Sequence, residues 1–329
     1  MHSTLRFSSL DIIVPVYNEE LVIERFHQLL WQVAAELPYE VTVYYVNDGS
    51  TDGTGAILHR LAASNPRLVV AELSRNFGHQ AALSAGLDLS RAEVVITMDG
   101  DGQHPPELIP QMLQLHQTGY DVVLTQRSND KSLTFFKRSS SSIFYGLLNR
   151  MGETRILPGS ADYRLMSRQV VDSLKQMREY HRFLRGMISW MGYRSVILPY
   201  AARDRLAGAP KYSIRKMAKL ALDAIFSFSL MPLRFGIAIG VFFLILASLE
   251  ALYVLSLWLR GRENLLVPGW SSLMFMLLIV GGILSITTGI IGVYVGYIFQ
   301  EAKKRPIYLL QNVRSGPPPD GNRKGPGQQ

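Results

Sequence analysis

The sequence predicts an α/β protein: a mainly parallel sheet with helices on both faces, followed by two membrane-length apolar helices. Three observations predict it. Strand-like and helix-like segments alternate from residue 10 to residue 127, the pattern of βαβ units. Acidic turns stand at the carboxyl ends of two strands, at Asp48 and Asp99, and open α/β sheets bind ligands at those ends. Two apolar runs, 235–258 with Glu250 as its one charge and 271–299 with none, each exceed the roughly 20 residues that cross a bilayer.

The elements run in order along the chain. "LDIIVPVY" (10–17) reads as a short buried strand, and residues 19–37 carry Leu21, Phe26, Leu29, Leu30 and Val33 at helical spacing. Strands at 40–48, 67–74, 92–99 and 120–127 alternate with helices at 54–65, 78–90 and 107–119. This first part, 1–210, is expected to be the catalytic domain. Residues 211–234 mix basic and apolar positions, as an interfacial helix does and as an ordinary amphipathic surface helix also does. The remainder, 300–329, reads as a tail whose Pro/Gly-rich end, 314–329, is expected to be disordered.

Composition narrows the chemistry. The chain has 329 residues, no cysteine and a formal charge of +8. Disulfides, thiol catalysis and cysteine-held zinc are excluded. The basic balance points to nucleic acid, anionic lipid or phosphorylated ligands. "MHSTLRFSSL" has no long apolar core followed by a cleavage site, so no signal peptide is expected. Lys303, Lys304 and Arg305 after the second run, with Arg215, Lys216, Lys219 and Arg234 before the first, favour both termini in the cytoplasm. Arg260 and Arg262, between the runs, oppose that bias. Trp258 and Trp270 fit an aromatic belt on the far side.

The chemistry concentrates in "ITMDGDGQHPP" (96–106). Carboxylates at i and i+2 of a strand would normally point to opposite faces, but Gly100 permits a sharp turn after which Asp99 and Asp101 converge. Such a pair suits Mg²⁺ or Mn²⁺, with Gln103 able to add a carbonyl oxygen. By itself the pattern fits a solvated turn equally well. A second acidic turn, "VNDGSTDGT" (46–54), suits the base and ribose of a nucleotide. "PVYNEE" places Pro15, Tyr17, Asn18 and Glu19 at the end of the first strand. A P-loop is excluded because no G-K-[ST] comes after it, and a dinucleotide fingerprint is missing from the first turn. His79 and His104 stand near these turns and read as structural.

Taken together, "IIVPVYNEE", "VNDGSTDGT", "SRNFGHQAALSAGLD" and "MDGDGQHPPELI" resemble the family 2 glycosyltransferases. "GSADYRLMSRQVV" and "RDRLAGAPKYS", followed by two apolar runs, narrow the resemblance to the polyisoprenyl-phosphate glycosyltransferases, the group of dolichol-phosphate mannose synthase. It covers roughly residues 10–310. The resemblance implies a Rossmann-like GT-A fold, a nucleotide-sugar donor, a divalent metal and a polyprenyl-phosphate acceptor at the bacterial inner membrane. It also implies tetramers and no nucleic-acid partner. Asp99, Asp101 and Gln103 are then metal-side residues, with Asp99 also on the ribose. Pro15, Tyr17, Asn18, Glu19 and Asp48 are nucleoside contacts. Asp162 corresponds to the catalytic base, and Arg127, Arg205 and Lys211 hold phosphates, with Arg203 close by. Gly102 departs from the bulkier residue usual after the second Asp, and "GAPKY" has Pro210 for Ser. Inverting transfer of glucose from UDP-glucose to undecaprenyl phosphate is the favoured reaction. N-acetylglucosamine or aminoarabinose on UDP, or mannose on GDP, are alternatives, and a silent membrane scaffold is the reading of another class.

Overall fold

The computed structural model describes residues 9–127, 160–180, 182–201, 231–261 and 269–316. It divides into two compact units, one carrying the sheet and the segment from Pro306 onward, the other carrying two long helices. The first unit runs β1 (Ser9–Val16), α1 (Ile23–Glu36), β2 (Glu40–Asn47), α2 (Thr54–Ser64), β3 (Leu68–Leu73), α3 (His79–Leu89) and β4 (Val94–Thr97). A short turn of helix at Pro106–Leu108 leads into α4 (Ile109–Gln117), then β5 (Val122–Arg127). Beyond it come β6 (Ser160–Ser167), α5 (Arg168–Gln176), α6 (Leu184–Trp190) and β7 (Ser195–Tyr200). The last strand of the unit is β8 (Leu310–Ser315).

The eight strands form one sheet in the order β7-β5-β6-β4-β1-β2-β3-β8. The sheet is mixed but mainly parallel, as expected: β1, β2, β3, β4, β5 and β7 run one way, and β6 and β8 run against them. Pairings β1–β2, β1–β4, β2–β3 and β5–β7 are parallel, whereas β6 runs against both β4 and β5, and β8 against β3. The parallel half behaves as its sequence demands. Ile12, Ile13 and Val14 are fully buried on both faces of β1, as in a strand covered by helices on each side. At Gly86 of α3 an added Cβ would stand 2.3 Å from Ile13 Cγ2 and 3.2 Å from Val46 Cγ2, so the absence of a side chain sets how closely α3 lies on the sheet. The chain leaves β3 and crosses back to β4 on the other side of β1. That reversal is the topological switch point, and the exits of β1, β2 and β4 open onto it.

The antiparallel strand β6 brings the second half of the site. Buried Thr97 donates from Oγ1 to the Asp162 carbonyl at 2.7 Å, and buried Thr125 donates to the Tyr163 carbonyl at 2.7 Å. The register pairs Thr97 with Arg164. Continued two residues past the end of β4, it sets Asp162 alongside Asp99.

The C-terminal segment also enters the sheet, where Ala71 of β3 lies opposite Val313 of β8. Arg314 and Ser315, expected at the start of a disordered end, are therefore sheet residues, and 317–329 lie outside the described residues. The second unit holds α7 (Met231–Leu259) and α8 (Trp270–Ala302), which contain the two apolar runs. Among the described residues one stretch is long and apolar enough to cross a membrane by length and composition, Ile279–Ala302, with a hydropathy of 1.9. Of the expected interfacial helix only residues 231–234 are described, and they begin α7.

Candidate active site

The exits of β1 and β2 are laced together. Asn18 adopts a left-handed backbone, φ 52°, a conformation asparagine tolerates better than most residues. Its N–H donates to Ser50 Oγ at 3.0 Å, and its own Oδ1 accepts from the Thr51 N–H at 2.8 Å. The Glu19 N–H donates to Thr54 Oγ1 at 2.8 Å, and Glu20 Oε2 accepts from the Gly53 N–H at 2.8 Å. Pro15 is buried at the end of β1, while Tyr17 and Glu19 are half-buried. The nucleoside contacts expected from sequence are thus brought to one corner, but Asn18 commits its side chain to the neighbouring turn.

Asp48 is committed in the same way. Buried at the end of β2, it accepts from the Phe77 N–H at 2.7 Å and the Gly78 N–H at 2.9 Å. Burial pushes its pKa up against these two bonds and the nearby His79. The loop it holds passes so close to Gly49 (φ 66°) that an added Cβ would lie 2.5 Å from the Arg75 carbonyl carbon. Holding Phe77 and Gly78 fixes the start of α3, whose first residue is His79.

His79 reaches two acidic residues. Its Nε2 lies 3.5 Å from Asp99 Oδ1 and 3.4 Å from Asp162 Oδ2. Burial alone would lower its pKa. The Asp99 charge, with the bond and charge of Asp162, outweighs burial and pushes it up to about 8. On the other side of Asp99, fully enclosed His104 accepts the Asp99 N–H at Nδ1, 3.0 Å away. That bond puts its proton on Nε2, 3.7 Å from Asp99 Oδ2. The ring is stacked on Tyr163 at 5.1 Å and meets Tyr200 edge-on at 6.1 Å. Burial keeps this imidazole below its usual pKa.

The acidic turn differs from its expected shape in one respect. The left-handed residue is Gly102, at φ 79°, and not Gly100. Gly100 is required for space, since a Cβ there would stand 3.0 Å from Val16 Cγ1 and 3.2 Å from Val14 Cγ1. Gly102, the position at which the chain departs from the family pattern, makes the turn. Asp101 Oδ1 then accepts from the Gln103 N–H at 3.0 Å, and Gln103 Oε1 accepts from Arg127 Nη2 at 3.1 Å. Arg127 Nε also donates to the Tyr200 hydroxyl at 3.4 Å.

The residues present fit a divalent cation in part. Asp99 Oδ1 is a buried oxygen with no hydrogen-bond partner, a costly state that a cation would relieve. Asp101 stands two residues on. Gln103 is engaged by Arg127, so the side-chain ligands reduce to two carboxylates. Among the described residues no group of three or more His, Asp or Glu is arranged to hold a metal. Two carboxylates suffice for Mg²⁺ or Mn²⁺ when substrate phosphates and water complete the shell.

Asp162 is the opposite case. Arg185 of α6 grips it with a two-pronged bond, Nε to Oδ1 at 3.0 Å and Nη2 to Oδ2 at 2.9 Å. Arg164 Nη2 bonds Oδ1 in addition. Burial would raise this carboxyl's pKa, but the Arg185 and Arg164 charges and the bond from His79 hold it well below the ordinary range. A carboxylate held there is a poor proton acceptor, which weighs against the base role that the resemblance implies.

Residues 11–175 match the family described as glycosyl transferase family 2. The chain is a family 2 glycosyltransferase. It is 39% identical to an uncharacterized glycosyltransferase, YkcC, of Bacillus subtilis, across 92% of this chain and 93% of that protein. It is 38% identical to the bactoprenol glucosyl transferase of Shigella phage SfV, across 93% of this chain and 99% of the relative. Among solved structures, a mannosyltransferase of Pyrobaculum calidifontis in complex with GDP-Man and Mn²⁺ is 18% identical over 90% of this chain and 86% of that one, with a TM-score of 0.42.

Of the site residues expected from sequence, Asp99, Asp101, Gln103, Arg127 and Asp162 gather around the exits of β4 and β5 and the start of β6. Pro15, Tyr17, Asn18, Glu19 and Asp48 flank them at β1 and β2. Arg203, Arg205 and Lys211 lie outside the described residues. Sequence reasoning set His79 aside as structural and missed Arg164 and Arg185. "DYR" could have pointed to Arg164, since residues i and i+2 share one face of a strand. Nothing local marks Arg185, which is brought to Asp162 across 23 positions of sequence.

Proposed function

We propose that this glycosyltransferase moves a sugar, glucose from UDP-glucose in the leading case, onto the phosphate of a polyprenyl phosphate such as undecaprenyl phosphate at the bacterial inner membrane. The single observation that carries the reading is the Asp99–Asp101 turn at the switch point, with its unsatisfied buried oxygen beside a cluster of guanidinium groups. The bactoprenol glucosyl transferases, 37–38% identical across 92–94% of the chain, support the acceptor and the sugar. Two long helices with exposed Ile237, Leu252, Leu284, Ile286 and Ile298 support a membrane-held enzyme with two spans, since exposed apolar faces of this length suit lipid. Both termini lie on the cytoplasmic side in this reading, with the sheet unit facing the donor pool. A tetramer is the assembly that the family resemblance supports.

Tyr17, Glu19 and Pro15 line the nucleoside corner, while Asn18 and Asp48 shape it through their backbone bonds. Asp99 and Asp101 hold Mg²⁺ or Mn²⁺, which supplies Lewis-acid stabilisation of the leaving diphosphate. Gln103 reaches the same region through Arg127, whose charge also faces the leaving group. An oxygen of the acceptor phosphate bonds to C1 of the sugar as the bond from C1 to the diphosphate oxygen breaks, and the anomeric configuration inverts. The acceptor's second pKa is about 6, so at pH 7 it is already mostly dianionic. No proton has to be removed, which agrees with an Asp162 that is ill-placed to take one.

The test is incubation of the purified full chain with Mn²⁺, undecaprenyl phosphate and, separately, radiolabelled UDP-glucose, UDP-N-acetylglucosamine, UDP-aminoarabinose and GDP-mannose. Label from UDP-glucose in the lipid extract supports the proposal. Label from another donor replaces the sugar and keeps the acceptor. No lipid label from any donor overturns it.

A further inference from the structure

Two buried polar atoms of the acidic turn lie near each other without a hydrogen-bond partner, Asp99 Oδ1 and His104 Nε2. The state of the ring follows from its other nitrogen. Nδ1 accepts the Asp99 N–H at 3.0 Å, so the proton of the imidazole sits on Nε2. That N–H faces Asp99 Oδ2 across 3.7 Å, about 0.8–1.0 Å beyond the length of a charge-assisted bond. A buried donor just out of reach of a carboxylate is costly, and a native structure rarely leaves one without a purpose.

Support of the turn does not by itself call for histidine. An asparagine amide oxygen in the place of Nδ1 would accept the same backbone N–H. Histidine adds a second nitrogen, and here it is aimed at the carboxylate of the residue whose backbone the first nitrogen holds.

The two partners differ in freedom. His104 is 1% exposed. Its ring is stacked on Tyr163 and closed edge-on by Tyr200. The Tyr163 hydroxyl also donates to the carbonyl of Pro105, the next residue, at 3.0 Å. The Asp99 side chain is 32% exposed, and the last torsion of an aspartate is broad. A small rotation therefore brings the carboxylate to the ring, while the ring stays. His79 faces the other oxygen, Oδ1, at 3.5 Å, but from a side chain 31% exposed and shared with Asp162. A cation on Asp99 gives the carboxylate a reason to move, because ligating carboxylates are themselves held by hydrogen bonds from outside the metal shell.

We infer that His104 is a positioning residue for the cation site: its Nε2–H takes Asp99 Oδ2 when a divalent cation binds, which leaves Oδ1 to the metal and fixes the orientation of the carboxylate. The inference rests on the cation at Asp99 and Asp101 proposed above.

The experiment has two arms, both on the full chain in detergent. In the first, Mn²⁺ affinity in the presence of UDP is measured by electron paramagnetic resonance for wild type, H104N and H104Q, with melting temperatures alongside. Asparagine keeps an acceptor at the Nδ1 position and loses the second N–H. Glutamine carries its amide N–H to the Nε2 position and loses the first acceptor. H104N is expected to bind Mn²⁺ about tenfold or more weakly with the smaller loss of melting temperature. H104Q is expected to bind closer to wild type with the larger loss. A histidine that only supports the turn gives the opposite order of affinities. In the second arm, wild type labelled with ¹⁵N in its histidine rings is observed by nuclear magnetic resonance before and after Mg²⁺ and UDP are added, the His104 signal being the one that H104N lacks. A bare Nδ1 and a protonated Nε2 are expected in both states, with the Nε2-bound proton moving downfield on addition as its bond to Asp99 forms.

Equal Mn²⁺ binding by H104N and wild type, or H104Q binding no better than H104N, overturns the inference and leaves the cation site standing. So does a His104 protonated at Nδ1, or an Nε2 proton that does not respond to Mg²⁺ and UDP. A wild type that binds neither Mn²⁺ nor Mg²⁺ with UDP overturns the cation reading itself, and the inference with it.

Discussion

Asp99 and Asp162 sit side by side at the exit of β4 and the start of β6, and they are finished to different degrees. Asp99 has a buried oxygen without a hydrogen-bond partner, 3.5 Å from His79 Nε2, and its neighbour Asp101 belongs to a turn built on Gly102. Asp162 has both oxygens hydrogen-bonded, by Arg164 and Arg185, with His79 facing it as well. The first carboxylate waits for something to complete it, whereas the second is complete and completes others. A cluster of acidic residues in a cleft is therefore not one machine. The hydrogen-bond partners of each oxygen separate a ligand for an incoming cation from a scaffold for the cations already there.

The sharpest break of that contrast is D101A. Losing a carboxylate at the cation site is expected to cut sugar transfer by about a thousandfold or more, read as labelled lipid per minute, with the melting temperature held. A D101A enzyme at full speed would erase the distinction. Next is D48N, which removes the charge that holds the Phe77 and Gly78 N–H groups and with them the entry of His79. A loss of about ten- to a hundredfold in kcat is expected, with donor and acceptor KM values measured alongside. Smaller in activity but visible in stability is Gly86→Val. The added side chain meets Ile13 and Val46, and overpacking of this kind costs about 1–3 kcal/mol, read as a lowered melting temperature. The smallest is T97V, which deletes the bond to the Asp162 carbonyl and is expected to cost about 1 kcal/mol with little change in KM.

Much of the parallel half was legible because its signals are local. β1 to β5 and α1 to α4 fall within a few residues of the segments that alternating apolar patterns and turn residues mark. β6 was visible only as a motif, because an antiparallel strand inserted between β4 and β5 announces its partner nowhere in its own residues. β8 was hidden for the opposite reason: "LQNVRS" is short, polar and exposed, and backbone pairing with β3, not burial, holds it. The site divides along the same line. Asp99, Asp101, Asp48 and the β1 turn could be read from strand-to-turn boundaries. The partners that decide what each carboxylate does could not, since Arg185 and His79 reach Asp162 only through the folded sheet. Gly100 and Gly102 show the finer limit: sequence marks both as permissive, and packing against Val14 and Val16 decides which one turns.

The direct measurement is Mn²⁺ binding followed by electron paramagnetic resonance in the presence of UDP, on wild type, D99N, D101N and D162N. Bound Mn²⁺ is predicted in wild type and in D162N at about equal affinity, and lost or at least about tenfold weaker in D99N and D101N. A D162N protein that loses Mn²⁺ as completely as D99N, or a D99N/D101N double variant that keeps it, would contradict the division of labour between the two carboxylates.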